Sequence, residues 1–168
     1  MADEFPPERH VYGRPDAPVT IVEFGDLECP YCRAAAAPLK QLVDTSEGRV
    51  RLVWRHFPLF EVHPYALSAA LAAEAAGRHG KFWEMHGLLM GDQSRLSEPD
   101  LRRAAVSLGI DPTEVAGPAA QALAPAVQAD YAAGVELGVR GTPTLYVNGE
   151  RFRGKVTLER LREAVDAA

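Results

Sequence analysis

The period of hydrophobic positions changes along the chain, and each change marks a different part of the fold. The run Val19, Thr20, Ile21, Val22, Glu23, Phe24 is β-branched and almost continuously apolar. That is the pattern of a buried central strand, with Glu23 as its one ionisable side chain. Gly25 and Asp26 mark a turn. From Tyr31 to Val43 the stretch YCRAAAAPLKQLV is rich in helix formers. It predicts a helix with Cys29 at its start, Cys32 about one turn inside and a kink at Pro38. RVRLVWRHF, residues 49–57, alternates Val50, Leu52 and Trp54 with Arg49, Arg51 and Arg55, which predicts a second strand. A strand, a helix and a strand in this order predict a parallel βαβ unit.

From about Pro64 to Gly138 the strand pattern is absent. Leu67, Ala70, Leu71 and Glu74 fall on one helical face, and Phe82, Met85 and Leu89 follow on another. Ser97 with Asp100 resembles a capping box, and Gly109 is a natural helix stop. Asp111 caps DPTEV with Pro112 at the first position, and Gly117-Pro118 breaks it. A longer helix, about 125–137, carries Val127, Tyr131 and Val135 on one face. TPTLYVNGERFRG then reads as a strand from Thr144 to Val147, an Asn148-Gly149 turn and a return strand from Glu150 to Arg153. TLERLREAVDAA closes the chain as an amphipathic helix capped by Thr157, with Leu158, Leu161 and Val165 facing inward. The order is β-α-β, an all-helical insertion, then β-β-α, divided at 1–63, 64–138 and 139–168.

Composition narrows the function. A chain of 168 residues with 47% hydrophobic side chains forms one domain with an adequate core. The formal charge of -5, from 23 acidic and 18 basic residues with no Lys/Arg block, argues against a nucleic-acid partner. No apolar run is long enough to span a membrane. The start MADEFPPERH has early acids, prolines and no hydrophobic region, unlike a signal peptide. As it stands the sequence reads as cytoplasmic; with a leader removed it would read as extracytoplasmic.

The chemistry concentrates in ECPYCR, residues 28–33, which contains both cysteines of the chain. Such a pair can be a redox-active disulfide, part of a metal site, a structural staple or two unrelated buried thiols. The loop is too short for a staple to remove much entropy from the unfolded chain. Zinc needs four ligands, and His10, His56, His63, His79 and His86 show no short His-His spacing. Copper(I) held by the two thiolates is the strongest metal version. In the redox reading, the helix start lowers the thiol pKa of Cys29, which attacks, and Cys32 resolves the mixed disulfide.

With the segments APVTIVEFGDLECPYC and GTPTLYVNG and the helical insertion between them, the chain resembles the DsbA-like branch of the thioredoxin superfamily. The resemblance covers nearly the whole chain. It implies an α/β thioredoxin fold with a helical insertion, and a thiol–disulfide oxidoreductase that needs no cofactor beyond its own disulfide. It implies Cys29 as nucleophile, Cys32 as resolver, Pro143 as a cis-proline beside them and Thr142 as a backbone contact for substrate. Glu23 matches the buried acid under the motif, a proton relay to Cys32; the competing reading pairs it with Arg55. Pro30-Tyr31 departs from the Pro-His of strongly oxidising members, because tyrosine brings no cation. The direction of electron flow therefore stays open. Implied partners are protein thiols or disulfides, or small thiols such as glutathione, together with a redox partner protein. Tyr31, Phe57, Pro58, Leu59 and Phe60 are candidates for a substrate groove, with Phe57 and Phe60 expected in the core and Tyr31 at the surface.

Overall fold

The computed structural model describes residues 9–168; the leader reading at the extreme N-terminus falls mainly on residues 1–8, outside them. The apolar run at 19–24 becomes strand β2 (Val19–Gly25), and β1 (Val11–Tyr12) is a short strand before it. Helix α1 (Pro30–Asp44) is continuous through Pro38, and β3 (Val50–His56) follows. Strands β2 and β3 pair in parallel, as a crossover through α1 requires. The hairpin consists of β4 (Thr144–Val147) and β5 (Glu150–Arg151), shorter than the sequence pattern predicts. Its turn places Asn148 at φ 47° and Gly149 at φ 83°, the left-handed conformations that an Asn-Gly turn supplies. The five strands lie in the order β1-β3-β2-β4-β5, with β2–β3 the parallel pair.

The two faces of β2 sort its side chains. Val19 and Ile21 pack with Leu39, Leu42, Val43, Leu161 and Val165, from α1 and from α7 (Leu158–Asp166). Val22 and Phe24 pack with Val53, Phe57 and Tyr146 on the other face. That face meets α6 (Ala124–Glu136), where Gly134 has no room for a side chain: a Cβ there would lie 2.7 Å from Phe57. Both faces are covered, which is why this strand is apolar without strict alternation.

Between β3 and β4 lie α2 (Ala66–Gly77), α3 (Phe82–Gly91), α4 (Glu98–Ser107), a 3-10 turn (Pro112–Glu114), the short α5 (Pro118–Gln121) and α6. Ser97 and Asp100 form the expected capping box at α4. Helix α2 is buried almost all round, and its alanines let neighbouring helices approach closely. Leu67 is instead 41% exposed. On α6 the buried positions are Val127, Asp130 and Gly134, so Val135 points outward rather than along the expected face.

Candidate active site

Cys29 occupies the N-cap of α1, with Pro30 at the first helical position. A proline there forfeits no helical hydrogen bond and sets the backbone for the first turn. The exposed N–H groups of that turn point toward the Cys29 sulfur, and those of Tyr31 and Cys32 hydrogen-bond to it. The Cys32 thiol is the largest influence on Cys29. Against the cost of burial, its hydrogen bond, Thr142 and those two N–H groups bring the Cys29 pKa down to about 5. Cys29 is then a thiolate at neutral pH. Cys32 moves the other way. Burial, the Cys29 sulfur and Glu23 raise its pKa well above the ordinary thiol value. Both thiols are reduced, with Cys32 fully enclosed and Cys29 2% exposed.

The second half of the chain reaches this site through Thr142. When protonated, the Cys29 thiol donates to the Thr142 carbonyl at 3.6 Å, and the Thr142–Pro143 peptide bond is cis. Tyr31 lies at the surface, 73% exposed. Phe57 is core, as expected. Phe60 is not: it is 54% exposed, because the chain turns at Leu59 and carries the ring past the end of the sheet. With Tyr31, Val62, Tyr65 and Leu67 it leaves large apolar side chains uncovered on the motif and on the 57–67 segment.

Glu23 sits on the α1 face of β2, opposite Trp54 in the register, and is buried. Arg55 pairs in register with Phe24 and so points to the opposite face of the sheet. There its guanidinium meets Asp130 at 2.9 Å. The Glu23–Arg55 pairing is therefore excluded by strand parity. Burial first, then the Cys29 charge, pushes the Glu23 pKa up to about 8, with Lys40 acting in the opposite sense.

This shift has a consequence for stability. Between the ordinary carboxyl value of 4.5 and about 8, folded Glu23 keeps a proton that the unfolded chain has lost. Its contribution to stability therefore falls as pH rises through that window, by up to ~1.4 kcal/mol per pH unit. Urea unfolding of the reduced protein should show Glu23→Gln gaining on wild type between about pH 5 and about pH 8. Equal pH slopes would show that the carboxyl is not held protonated.

Three groups that the sequence reading passed over organise the loop around the cysteines. Asp26, 1% exposed, donates its backbone N–H to the Cys32 sulfur at 3.4 Å. Its carboxylate accepts from the N–H groups of Glu28 (2.7 Å) and Leu59 (2.8 Å) and from His63 Nδ1 (2.8 Å). Gln93, between α3 and α4, donates to the carbonyls of Leu27 (3.0 Å) and Cys29 (2.9 Å). An acid directly after an apolar strand was a signal that could have flagged Asp26; Gln93 carried none.

Among the described residues, one group of three potential metal ligands converges: His10, His56 and Glu74, all buried. It does not include the cysteines. Glu74 Oε2 lies 2.6 Å from His10 Nε2 and 3.0 Å from His56 Nε2, and Arg9 pairs with its other oxygen at 2.9 Å. His56 Nδ1 accepts from the Trp54 indole N–H at 3.1 Å, so Nε2 carries the proton in the neutral ring. A metal at Nε2 would force an N–H toward the indole N–H, the reverse of the acceptor that metal-bound histidines face. The cluster is a satisfied polar network. Burial works to raise the Glu74 pKa, but the two histidines outweigh it and hold the carboxyl well below its usual range.

A family model described as thioredoxin matches residues 6–167. The chain belongs to the thioredoxin family. Within the superfamily it falls with the DsbA-like thiol–disulfide oxidoreductases, whose mixed α/β fold it shares. A thioredoxin-like oxidoreductase from Silicibacter pomeroyi is 35% identical, with a TM-score of 0.80 over 94% of this chain and 90% of that one. BdbD from Bacillus subtilis, in its oxidised form, is 25% identical, with a TM-score of 0.83 over 99% of this chain and 94% of that one. Among curated proteins, the Na(+)/H(+) antiporter NhaA 1 of Salinispora arenicola is 45% identical over 164 residues. That match covers 97% of this thioredoxin chain but 25% of the antiporter. The chain spans about a quarter of the length of the first curated relatives it matches. Among the described residues, no helix is long and apolar enough to cross a membrane.

Proposed function

We propose that this thioredoxin exchanges disulfides with polypeptide thiols through the Cys29–Cys32 couple, on the oxidising side of thioredoxin itself. The observation that carries the reading is the opposed tuning of the pair, with the Cys29 pKa lowered to about 5 and that of Cys32 raised. A stable thiolate favours the dithiol over the disulfide, so the disulfide form tends to take electrons. Attack on a substrate disulfide comes from the Cys29 thiolate. Cys32 then loses its proton, attacks the Cys29 sulfur of the mixed disulfide and expels the substrate thiolate. Glu23, buried on the strand beneath the motif, serves as the proton relay for Cys32 when ionised. In the reverse direction a substrate thiolate opens the Cys29–Cys32 disulfide at Cys29.

Polypeptide substrates are favoured by the uncovered side chains of Tyr31, Phe60, Val62, Tyr65 and Leu67, which offer apolar surface beside the motif. Thr142 supplies backbone contacts to an extended segment, with Pro143 next to it. No resident cofactor or metal enters this scheme.

Equilibration with glutathione or dithiothreitol in metal-free buffer tests the proposal. A reversible two-electron couple between about -270 mV and about -120 mV is expected. A protein that shows no reversible couple, or one below the thioredoxin value, would refute it. Bound copper(I) in the purified reduced protein would move the cysteine pair to a metal-carrying role.

A further inference from the structure

Pro30 suits the first position of α1, but it takes the N–H away from the peptide that joins it to Cys29. That peptide has one hydrogen-bonding group left, the Cys29 carbonyl. Two donors meet it: Arg33 N–H at 3.1 Å, the first helical bond of α1, and Gln93 Nε2 at 2.9 Å. The same amide nitrogen donates to the Leu27 carbonyl at 3.0 Å. Both neighbours are carbonyl oxygens and can only accept, so the carboxamide must turn its nitrogen toward them. The groups between are held as well. Glu28 N–H donates to Asp26 Oδ1 at 2.7 Å, and Cys29 N–H to the Asp26 carbonyl at 3.1 Å. Each peptide plane from Leu27 to Pro30 is thus fixed, and Gln93 holds the first and the last.

Gln93 is itself presented by a closed turn. Asp92 Oδ1 accepts from Ser94 N–H at 3.1 Å, and the Asp92 carbonyl accepts from Arg95 N–H at 3.1 Å. An aspartate at the first position of such a turn braces it with its own side chain. Leu96, 1% exposed, anchors the far end in the core that also contains Cys29 and Cys32. Gly91 at the end of α3 adds a second tie to α1, its carbonyl accepting from Arg33 Nη2 at 3.4 Å.

We infer that Gln93 is a positioning residue for the nucleophile: its carboxamide fixes the Cys29–Pro30 peptide so that the first-turn N–H groups stay on the Cys29 sulfur. The inference rests on the disulfide-exchange reading of the cysteine pair. Its path runs through the backbone. Cys29 is the N-cap, at φ -74° and ψ 124°, and the Tyr31 and Cys32 N–H groups hydrogen-bond to its sulfur. Rotation about ψ of Cys29 would carry those N–H groups away from the sulfur and pull the carbonyl off Gln93. Without Gln93, the Arg33 bond alone holds that carbonyl, at the end of a helix where fraying begins. Gln93 acts through the position of Cys29, so it is not a catalytic residue.

Gln93→Met tests this in the full chain, because it keeps the length of the side chain and removes both hydrogen bonds. Arg102→Met is the control. It removes a comparable bond in the same helical segment, from Arg102 Nη1 to the Pro112 carbonyl at 2.9 Å. The ultraviolet absorbance of the Cys29 thiolate, followed against pH in the reduced protein, should titrate about half a unit higher in Gln93→Met. The couple should become about threefold more reducing, or ~15 mV for two electrons. Arg102→Met should leave both unchanged, even where it lowers the urea midpoint. An unchanged titration and potential in folded Gln93→Met would overturn the inference, and so would an equal shift in Arg102→Met. The wild-type protein gives a reading that needs no variant. Its Gln93 carboxamide protons should exchange slowly with water, and their NMR shifts should move as the Cys29 sulfur titrates. Carboxamide protons that exchange and resonate as in a free side chain throughout that titration would also overturn it. If Gln93→Met fails to fold, the wild-type spectra decide alone. Absence of a reversible couple in wild type would remove the exchange reading, and the thiolate titration would still decide whether Gln93 steadies Cys29.

Discussion

Turnover in a disulfide-exchange assay should fall to background, a loss of ~10³-fold or more, when Cys29 is replaced by serine. A serine at the N-cap of α1 keeps the helix start satisfied, since serine is a preferred capping residue, so the loss would be chemical rather than structural. Replacement of Cys32 by serine should behave differently. Cys29 keeps the helix N–H groups and gains a hydroxyl donor in place of the thiol, so attack persists while resolution fails. The expected product is a mixed disulfide between Cys29 and substrate, visible by mass spectrometry under non-reducing conditions. The asymmetry follows from the opposed tuning of the two thiols, with the Cys29 pKa lowered to about 5 and that of Cys32 raised, while the Cys32 sulfur is held by the Asp26 N–H. Full activity in Cys29→Ser, or a substrate adduct at Cys32 instead, would end the assignment of roles.

The largest expected loss of stability lies away from the cysteines. Asp130 on α6 is fully buried and stands 2.6 Å from Arg9 Nη2 and 2.9 Å from Arg55 Nε. It also accepts the backbone N–H of His56 at 3.1 Å. Asp130→Ala removes the carboxylate that all three face, and Arg55 is 2% exposed, so little water reaches its charge. Breaking a buried pair from one side costs ~3–5 kcal/mol, because the remaining charge has lost the carboxylate that offset its desolvation. Urea denaturation should therefore show Asp130→Ala less stable by that amount, with an unchanged dependence on urea. A loss below ~1 kcal/mol would mean that the surrounding groups already compensate the arginine. Exposed pairs such as Arg14–Asp16 make the contrast, since such bridges contribute little.

What could be read from the sequence followed the physics that is local. Strand β2, helix α1 and the Asn148-Gly149 turn each declare themselves within a few residues, through β-branching, helix formers and a turn dipeptide. Cys29 at a helix start was legible for the same reason, and so was Thr142-Pro143 once the rest of the pattern was assembled. Parity was harder. Arg55 alternates with apolar neighbours and looks like an outward residue, yet both faces of the sheet are covered, and the acid that balances it comes from a helix 75 positions later. Phe60 looks like core because aromatic residues usually are, but a turn at Leu59 releases it. Strand β1 is too short to show a period and exists through its pairing with β3. His63 and Gln93 reach the loop around the cysteines through contacts spanning 37 and 66 positions, and no spacing rule anticipates them.

The clamp from Gln93 to Leu27 and Cys29 bears on how this domain can be recombined. Helices inserted into a thioredoxin fold look like a detachable module, an ornament to be trimmed or swapped between relatives. Here the segment between the halves holds the carbonyl of Cys29 itself and supplies Glu74 to His10 and His56. A crossover within that segment must bring donor and acceptor from the same parent, or the helix and the loop it steadies will no longer match. The heritable unit is the whole circuit from motif to insertion and back, and its seams lie at the hairpin and the exposed turns.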